Sequence, residues 1–415
     1  MADPYGKIDQ AKLAKLAEVS VQVGLNLQRG QDLVITAPTT ALPLVRQVVA
    51  AAYKAGANIV TPILSDDEIT LARFENADDA SFDSAPNWLY NGMAEAYAGN
   101  AARMAISAEN PALLSGQDPA RVARAGKANS LAYKPALDHI VNFNINWNIT
   151  AFPGLAWAKL VFPDLPDDEA VFQLSEAIFA ASRINEADPV AAWAAHNAAL
   201  KSRTDYLNDQ RFYALHYTGP GTDLTIGLAD GHEWAGGASV SKNGITCNPN
   251  IPTEEVFTTP HARHVNGYVR ATKPLAHQGA VIEDIQVEFV DGRIIKASAS
   301  KGEAAFIKLL DSDAGARHIG EVALVPHGSA ISQSGVLFYN TLFDENAASH
   351  IALGQCYTDC FVGGADLSKD QIESQGGNSS IIHVDWMIGS GEIDIDGLDR
   401  HGKRTPLFRK GEWAN

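Results

Sequence analysis

In the stretch HVDWM, His383 and Asp385 stand two positions apart inside an apolar run. In an extended strand, residues i and i+2 project to the same face. The imidazole and the carboxylate then point together, while Val384 and Trp386 pack on the other side. Such a pair can serve as a pH-sensitive couple, as half of a proton relay, or as two ligands of a metal ion. More residues of these kinds lie upstream. Glu254 and Glu255 occupy NIPTEEVFTTP, and Glu321 opens GEVALVP. Glu345 and His350 lie in LFYNTLFDENAASHIALG, with Tyr357 just beyond.

Taken singly, each has an ordinary structural reading. The Glu pair suits a solvated turn, Glu321 a strand end, His350 a satisfied helix histidine, and His383 with Asp385 a structural pair. Taken together they form a mixed oxygen and nitrogen set. That set suits two borderline divalent ions such as Zn, Co or Mn, with Mg as a further option, better than one structural zinc. Dinuclear sites usually share a carboxylate between ions about 3.5–4 Å apart and generate hydroxide near neutral pH. Spacing alone does not show that these side chains converge.

Other signals carry less. YTGPGTDLTIGLADG is glycine-rich but lacks the third glycine of a dinucleotide fingerprint, and it reads as a turn between strands. HGSAISQSG sets serines beside His327 without the nucleophile elbow of the α/β-hydrolases. DIDGLDRHGKR begins like a calcium loop, but Leu398 and Asp399 stand where an oxygen ligand and a glycine are needed. His261, His264 and His277 are scattered along a polar segment and read as surface residues.

The elements that must position these groups change in kind along the chain. In the first half, DLVITA (Asp32–Ala37) reads as a strand. ALPLVRQVVAAAYKAG has helical spacing that ends at Gly56. NIVTPIL (Asn58–Leu64), AARMAIS (Ala101–Ser107) and HIVNFNINW (His139–Trp147) are further expected strands, and a polar helix containing DEITLARFENA follows the first of them. Strands separated by helices of this length predict βαβ units and a mainly parallel sheet. In the second half Gly-bounded, β-prone runs take over. EFVDGRII places Asp291-Gly292 between apolar runs, a strong hairpin signal, and WMIGSGEIDI is a second expected hairpin. The expected architecture is an α/β domain over residues 1–200 with a mainly parallel sheet, followed by a β-rich α+β metal-binding domain over 201–415.

Composition sets the outer limits. The chain has 415 residues, 46% hydrophobic and 20% charged, which is ordinary for a globular enzyme of two domains. A net charge of −17 argues against a nucleic-acid or anionic-membrane surface. No apolar run approaches the roughly 18 residues of a transmembrane helix, and the charged, amphipathic start lacks a secretory h-region. Three cysteines, Cys247, Cys356 and Cys360, fit buried thiols in a reducing cytoplasm rather than a disulfide scaffold.

The combination NIPTEEVFTTP, GEVALVP, LFYNTLFDENAASHIALG and HVDWMIG, with GLAWAKLVFPD in the first half, resembles the aminopeptidase T family of dinuclear metallo-aminopeptidases, which includes the aminopeptidase S and PepS types. The resemblance spans essentially the whole chain. It implies that Glu255, Glu321, Glu345, His350, His383 and Asp385 are metal ligands and that Glu321 touches both ions. It also implies that Tyr357 lies near the metals as an oxyanion donor. Within TEEV, Glu254 and Glu255 project oppositely if extended, so only one can face the ions; Glu255 is favoured and Glu254 is the fallback. Glu321, or whichever of the adjacent glutamates is not a ligand, would move the proton to the leaving amine. The implied function is metal-dependent removal of N-terminal amino acids from peptides with a free amino terminus, in the cytoplasm, by a homodimer. Another dinuclear hydrolase (an amidase or a phosphodiesterase) is the competing enzyme, and a metal-binding protein without turnover the competing non-enzyme.

Overall fold

The computed structural model of the chain describes residues 3–414 apart from Glu109, Pro111, Gln278 and Gly279. Two compact units form, and neither is one continuous stretch. One comprises Met1–His196 and Ala238–Pro252, the other Asn197–Gly237 and Thr253–Asn415. A linear division at residue 200 therefore leaves out the excursion over 238–252. The helix Pro189–Gln210 carries the chain from one unit to the other.

The first unit is built on a four-stranded parallel sheet in the order Val60–Ser65, Leu33–Pro38, Ala102–Ser107, Trp147–Ala151. Successive residues of the Leu33 strand are buried, as expected for a parallel sheet covered on both faces. Helix Leu42–Ala55 follows that strand and buries Leu44, Val45, Val48 and Ala52. It stops at Gly56, whose φ of 97° lets the amide turn back to Ala52 and Tyr53. Helix Asp67–Asn76 starts where the Asp66 carboxylate accepts from the amides of Glu68 and Ile69.

One expected strand is displaced. His139–Val141 form the last residues of helix Pro119–Val141, and the strand begins only at Trp147. The apolar residues of HIVNFNINW serve two elements. Ile140 is buried in the helix, and Phe143 turns the chain with a φ of 52°. A short apolar run carries no mark of where one periodicity stops and the other begins.

The second unit holds an eight-stranded antiparallel sheet. Its order is Arg293–Ser298, Gln286–Val290, Pro260–Arg270, Thr222–Leu228, Ala214–Gly219, Asp394–Leu398, Arg404–Arg409, Glu412–Trp413. Its outer hairpin turns at Asp291 and Gly292, which have φ of 46° and 82°. Both central residues lie in the left-handed region that the primed hairpin turns require. A Cβ on Gly292 would meet the Ala262 carbonyl at 1.8 Å, so the turn needs glycine for space as well.

A second antiparallel sheet of this unit has the order His383–Met387, His350–Gly354, Ile319–Leu324, Val256–Thr258. WMIGSGEIDI is therefore not a hairpin. Its first strand belongs to this smaller sheet, and Asp394–Leu398 pairs with Ala214–Gly219 in the larger one. The chain leaves the smaller sheet where the amides of Ile388 and Gly389 both donate to the Ser349 carbonyl. Among the described residues, no helix is long and apolar enough to cross a membrane.

Candidate metal centre

Alternation along the four strands of the smaller sheet sorts its side chains by face. Val256, Val322, Leu324, Ile351, Leu353, Val384 and Trp386 belong to the apolar core. Trp386 is fully buried and meets Phe306 of helix Glu303–Leu310 edge-on, with centroids 6.5 Å apart. Burying side chains of this size contributes roughly 1.5–3 kcal/mol each. The register gives the opposite face. Glu321 and Asp385 both pair with Ala352, His350 pairs with Ala323 and Met387, His383 pairs with Gly354, and Phe257 pairs with Ala323. Charged groups thus alternate with Ala323, Ala352 and Gly354, whose small size leaves volume between them.

The polar face gathers two groups of ligand atoms, Glu255 with Glu321 and His350, and Glu321 with His383 and Asp385. Within each group the atoms lie within 4.8 Å of one another. Glu321 is common to both, and its two oxygens diverge. Oε1 lies 3.8 Å from His350 Nε2, and Oε2 lies 3.1 Å from His383 Nε2. Glu255 Oε2 is 3.2 Å from His350 Nε2, and Asp385 Oδ1 is 3.5 Å from His383 Nε2. Main-chain carbonyls orient both rings: His350 Nδ1 lies 3.1 Å from the Ala348 oxygen and His383 Nδ1 2.7 Å from that of Gln355. With Nδ1 engaged in this way, Nε2 is the atom each ring presents to the cluster.

Electrostatics show what the cluster lacks. Burial raises the Glu321 carboxyl to about 7, against the pull of His383 and with the push of Asp385 and Glu255. Burial alone would depress the histidines. The carboxylates overcome it, holding His350 at about 10 through Glu255, Asp385 and Glu321, and His383 at about 11 through Asp385 and Glu321. Asp385 stays below its usual value despite burial because His383 and His350 stand beside it. Protons on the imidazoles thus occupy the place of positive charge. Glu255 Oε2 and Asp385 Oδ1 are buried without a hydrogen-bond partner. Buried carboxylate oxygens that face imidazoles without a well-formed hydrogen bond are what a divalent ion satisfies, so the donor set fits such ions.

The remaining expected residues lie around this cluster. Of the adjacent glutamates, Glu255 contributes to the first group and Glu254 to neither, although both are buried. Glu345 lies outside both groups. Its carboxyl is raised well above the usual range by burial and by the charges of Glu255 and Asp385. The Tyr357 ring packs at 4.7 Å from His383 and at 5.6 Å from Phe257. The residue keeps 45% of its surface exposed, yet its phenol is pushed up, first by desolvation and then by Glu321 and Asp385. His261, expected at the surface, is buried and stacks on His264 with centroids 3.6 Å apart. The three cysteines are free and buried.

Sequence reasoning missed the supporting residues. Gly320 lies where a Cβ would meet the Gln355 carbonyl, the oxygen that holds His383, at 2.3 Å. Phe257 walls the site two positions after Glu255, and that spacing was the only signal for it. Asn346, fully buried, had no signal in the sequence beyond its place directly after Asp344 and Glu345.

A family model described as thermophilic metalloprotease (M29) matches residues 9–413. Aminopeptidase T of Thermus thermophilus is 51% identical over 402 residues, covering 97% of this chain and 98% of that relative. Aminopeptidase 2 of Geobacillus stearothermophilus is 46% identical over 405 residues, with 98% of each chain covered. A solved structure of wild-type AmpT from Thermus thermophilus superposes with a TM-score of 0.92 at 50% identity, covering 97% of this chain and 99% of that one.

Proposed function

The chain belongs to the peptidase M29 family of metalloproteases and is a metal-dependent aminopeptidase, and we propose that it works through a pair of divalent ions. Glu255, Glu321 and His350 would hold one ion, and Glu321, His383 and Asp385 the other, with Glu345 completing the set beside them. The observation that carries this reading is the divergence of the Glu321 oxygens toward two different histidines. Bound there, ions of this kind supply Lewis acidity toward the scissile carbonyl and a hydrolytic nucleophile near neutral pH.

The protein's own groups do the rest. The main-chain oxygens of Ala348 and Gln355 hold the two imidazoles with Nε2 turned inward. The Tyr357 phenol, its pKa raised, stays protonated at working pH and donates a hydrogen bond to the developing oxyanion. Glu321, or Glu254 as the adjacent glutamate outside both ligand groups, carries the proton to the leaving amine. The free peptide amine is drawn to a cluster in which carboxylates outnumber imidazoles. The enzyme is taken to act in the cytoplasm, where its free thiols stay reduced, and as a homodimer, which light scattering on purified protein checks.

The decisive assay uses aminoacyl-p-nitroanilides with and without chelator, followed by Co or Zn added back. Activity lost to chelator and restored by metal is expected, with free amino termini strongly preferred over N-acetylated ones. Activity indifferent to chelator overturns the metal reading, and equal cleavage of blocked peptides overturns the exopeptidase reading.

A further inference from the structure

The ligand-bearing segments are far apart in sequence, and one uncharged side chain joins two of them. Asn346 is fully buried in the turn Glu345–Ala347, between Glu345 and the strand that begins at His350. Its Oδ1 accepts from the Glu254 amide at 2.7 Å, and its Nδ2 donates to the Leu342 carbonyl at 3.1 Å. The same Nδ2 lies 3.5 Å from Glu345 Oε1. These partners fix the amide's orientation, because a main-chain N–H only donates and a carbonyl only accepts. The turn is anchored from behind as well, where the Ser329 hydroxyl donates to the Asn346 carbonyl at 3.3 Å.

We propose that Asn346 is a positioning residue for the metal centre, setting the distance between the Glu255 segment and the turn that carries Glu345 and leads into His350. The proposal rests on the dinuclear reading above. Glu255 lies one residue before its strand begins, and the hydrogen bond from the preceding amide ties its backbone to the turn. Outer groups that orient ligands in this way typically change metal affinity by about 10–100-fold when removed.

The test is metal affinity of the folded protein, read by competition between Co and a chelating indicator. The melting temperature of the metal-free protein is measured alongside. Asn346→Ala removes both arms and is expected to bind Co about 10–100-fold more weakly. Asn346→Asp keeps the oxygen that accepts the Glu254 amide but turns a second acceptor toward the Leu342 carbonyl and Glu345, and it is expected to bind within about tenfold of wild type. A merely structural asparagine would lower the melting temperature and leave the affinity of the folded protein unchanged, so wild-type affinity in Asn346→Ala overturns the proposal. If Asn346→Ala does not fold, Asn346→Asp decides alone, and binding weakened tenfold or more overturns it. Absence of metal from the wild-type protein would instead sink the dinuclear reading, which keeps the two failures distinct.

Discussion

Each unit contains a four-stranded sheet, and the two use their faces differently. In the parallel sheet of the first unit, Leu33, Ile35, Ala102, Met104 and Ile106 are buried, and the strands carry one ionisable side chain, Arg103, set 6.0 Å over the Trp147 ring. Both faces of that sheet serve packing. In the antiparallel sheet of the second unit one face packs in the same way, through Val322, Ile351, Leu353 and Trp386. The other face buries Glu321, His350 and Asp385 together. Such crowding is costly unless the charges are paired or bound to a cation. A sheet can therefore give one face to binding when its reverse contributes the stability, and period-two alternation keeps the two tasks separate.

Substitutions on the polar face test that division most severely. Glu321→Gln removes the group common to both ligand sets. Loss of several kcal/mol of transition-state stabilisation is expected, at least ~10³-fold in kcat/KM, with metal content falling below that of wild type by elemental analysis. Retention of both ions and of activity would break the comparison. Tyr357→Phe keeps the ring that packs on His383 and removes only the hydroxyl, and it is expected to lower kcat about 10²-fold with metal content unchanged, as steady-state kinetics would show.

Paired glycine substitutions sharpen the contrast between units. At Gly320 an added Cβ would meet the Gln355 oxygen at 2.3 Å, and at Gly154 of the first unit it would meet the Ala108 oxygen at 2.4 Å. Overpacking of this kind costs about 1–3 kcal/mol, so both alanine variants are expected to melt earlier. Only Gly320→Ala should also weaken Co binding, by about tenfold or more, because the oxygen it displaces orients His383. Equal metal affinity in the two variants would remove that carbonyl from the account.

The mildest test is pH. In the metal-free protein His350 and His383 hold their protons up to about 10 and 11, above their usual value. A cation needs the neutral ring, so binding near neutrality releases protons, and affinity should rise with pH. Each displaced proton contributes about a factor of ten per pH unit, measurable as the slope of log affinity between pH 6 and 8. A flat slope would mean that the imidazoles are not ligands.

Much of this was legible before the fold was known, and the exceptions have a common origin. The strands at Leu33 and Ala102, the helix closing at Gly56 and the turn at Asp291-Gly292 follow from local periodicity and backbone freedom, which short windows of sequence contain. The misplaced strand at His139–Trp147 and the false hairpin in WMIGSGEIDI both turned on where a neighbouring element lies, which no short window records. The candidate site divides in the same way. Ligand types, and the shared face of His383 and Asp385, follow from composition and alternation. The grouping of Glu255 rather than Glu254 with Glu321 and His350, the parting of the Glu321 oxygens and the hydrogen bonds at Asn346 do not.

The sequence by itself determined which residues could bind a cation and which neighbours must face the same way, because side-chain chemistry and the two-residue period of a strand are local properties. Only the tertiary structure decided which of them meet. The irregularity between Ile319 and Glu321 sets Glu321 opposite Ala352, and with it Asp385, across strands that share no stretch of chain. Register between distant strands is a property of the packed sheet as a whole, and the charges converge only once it is set.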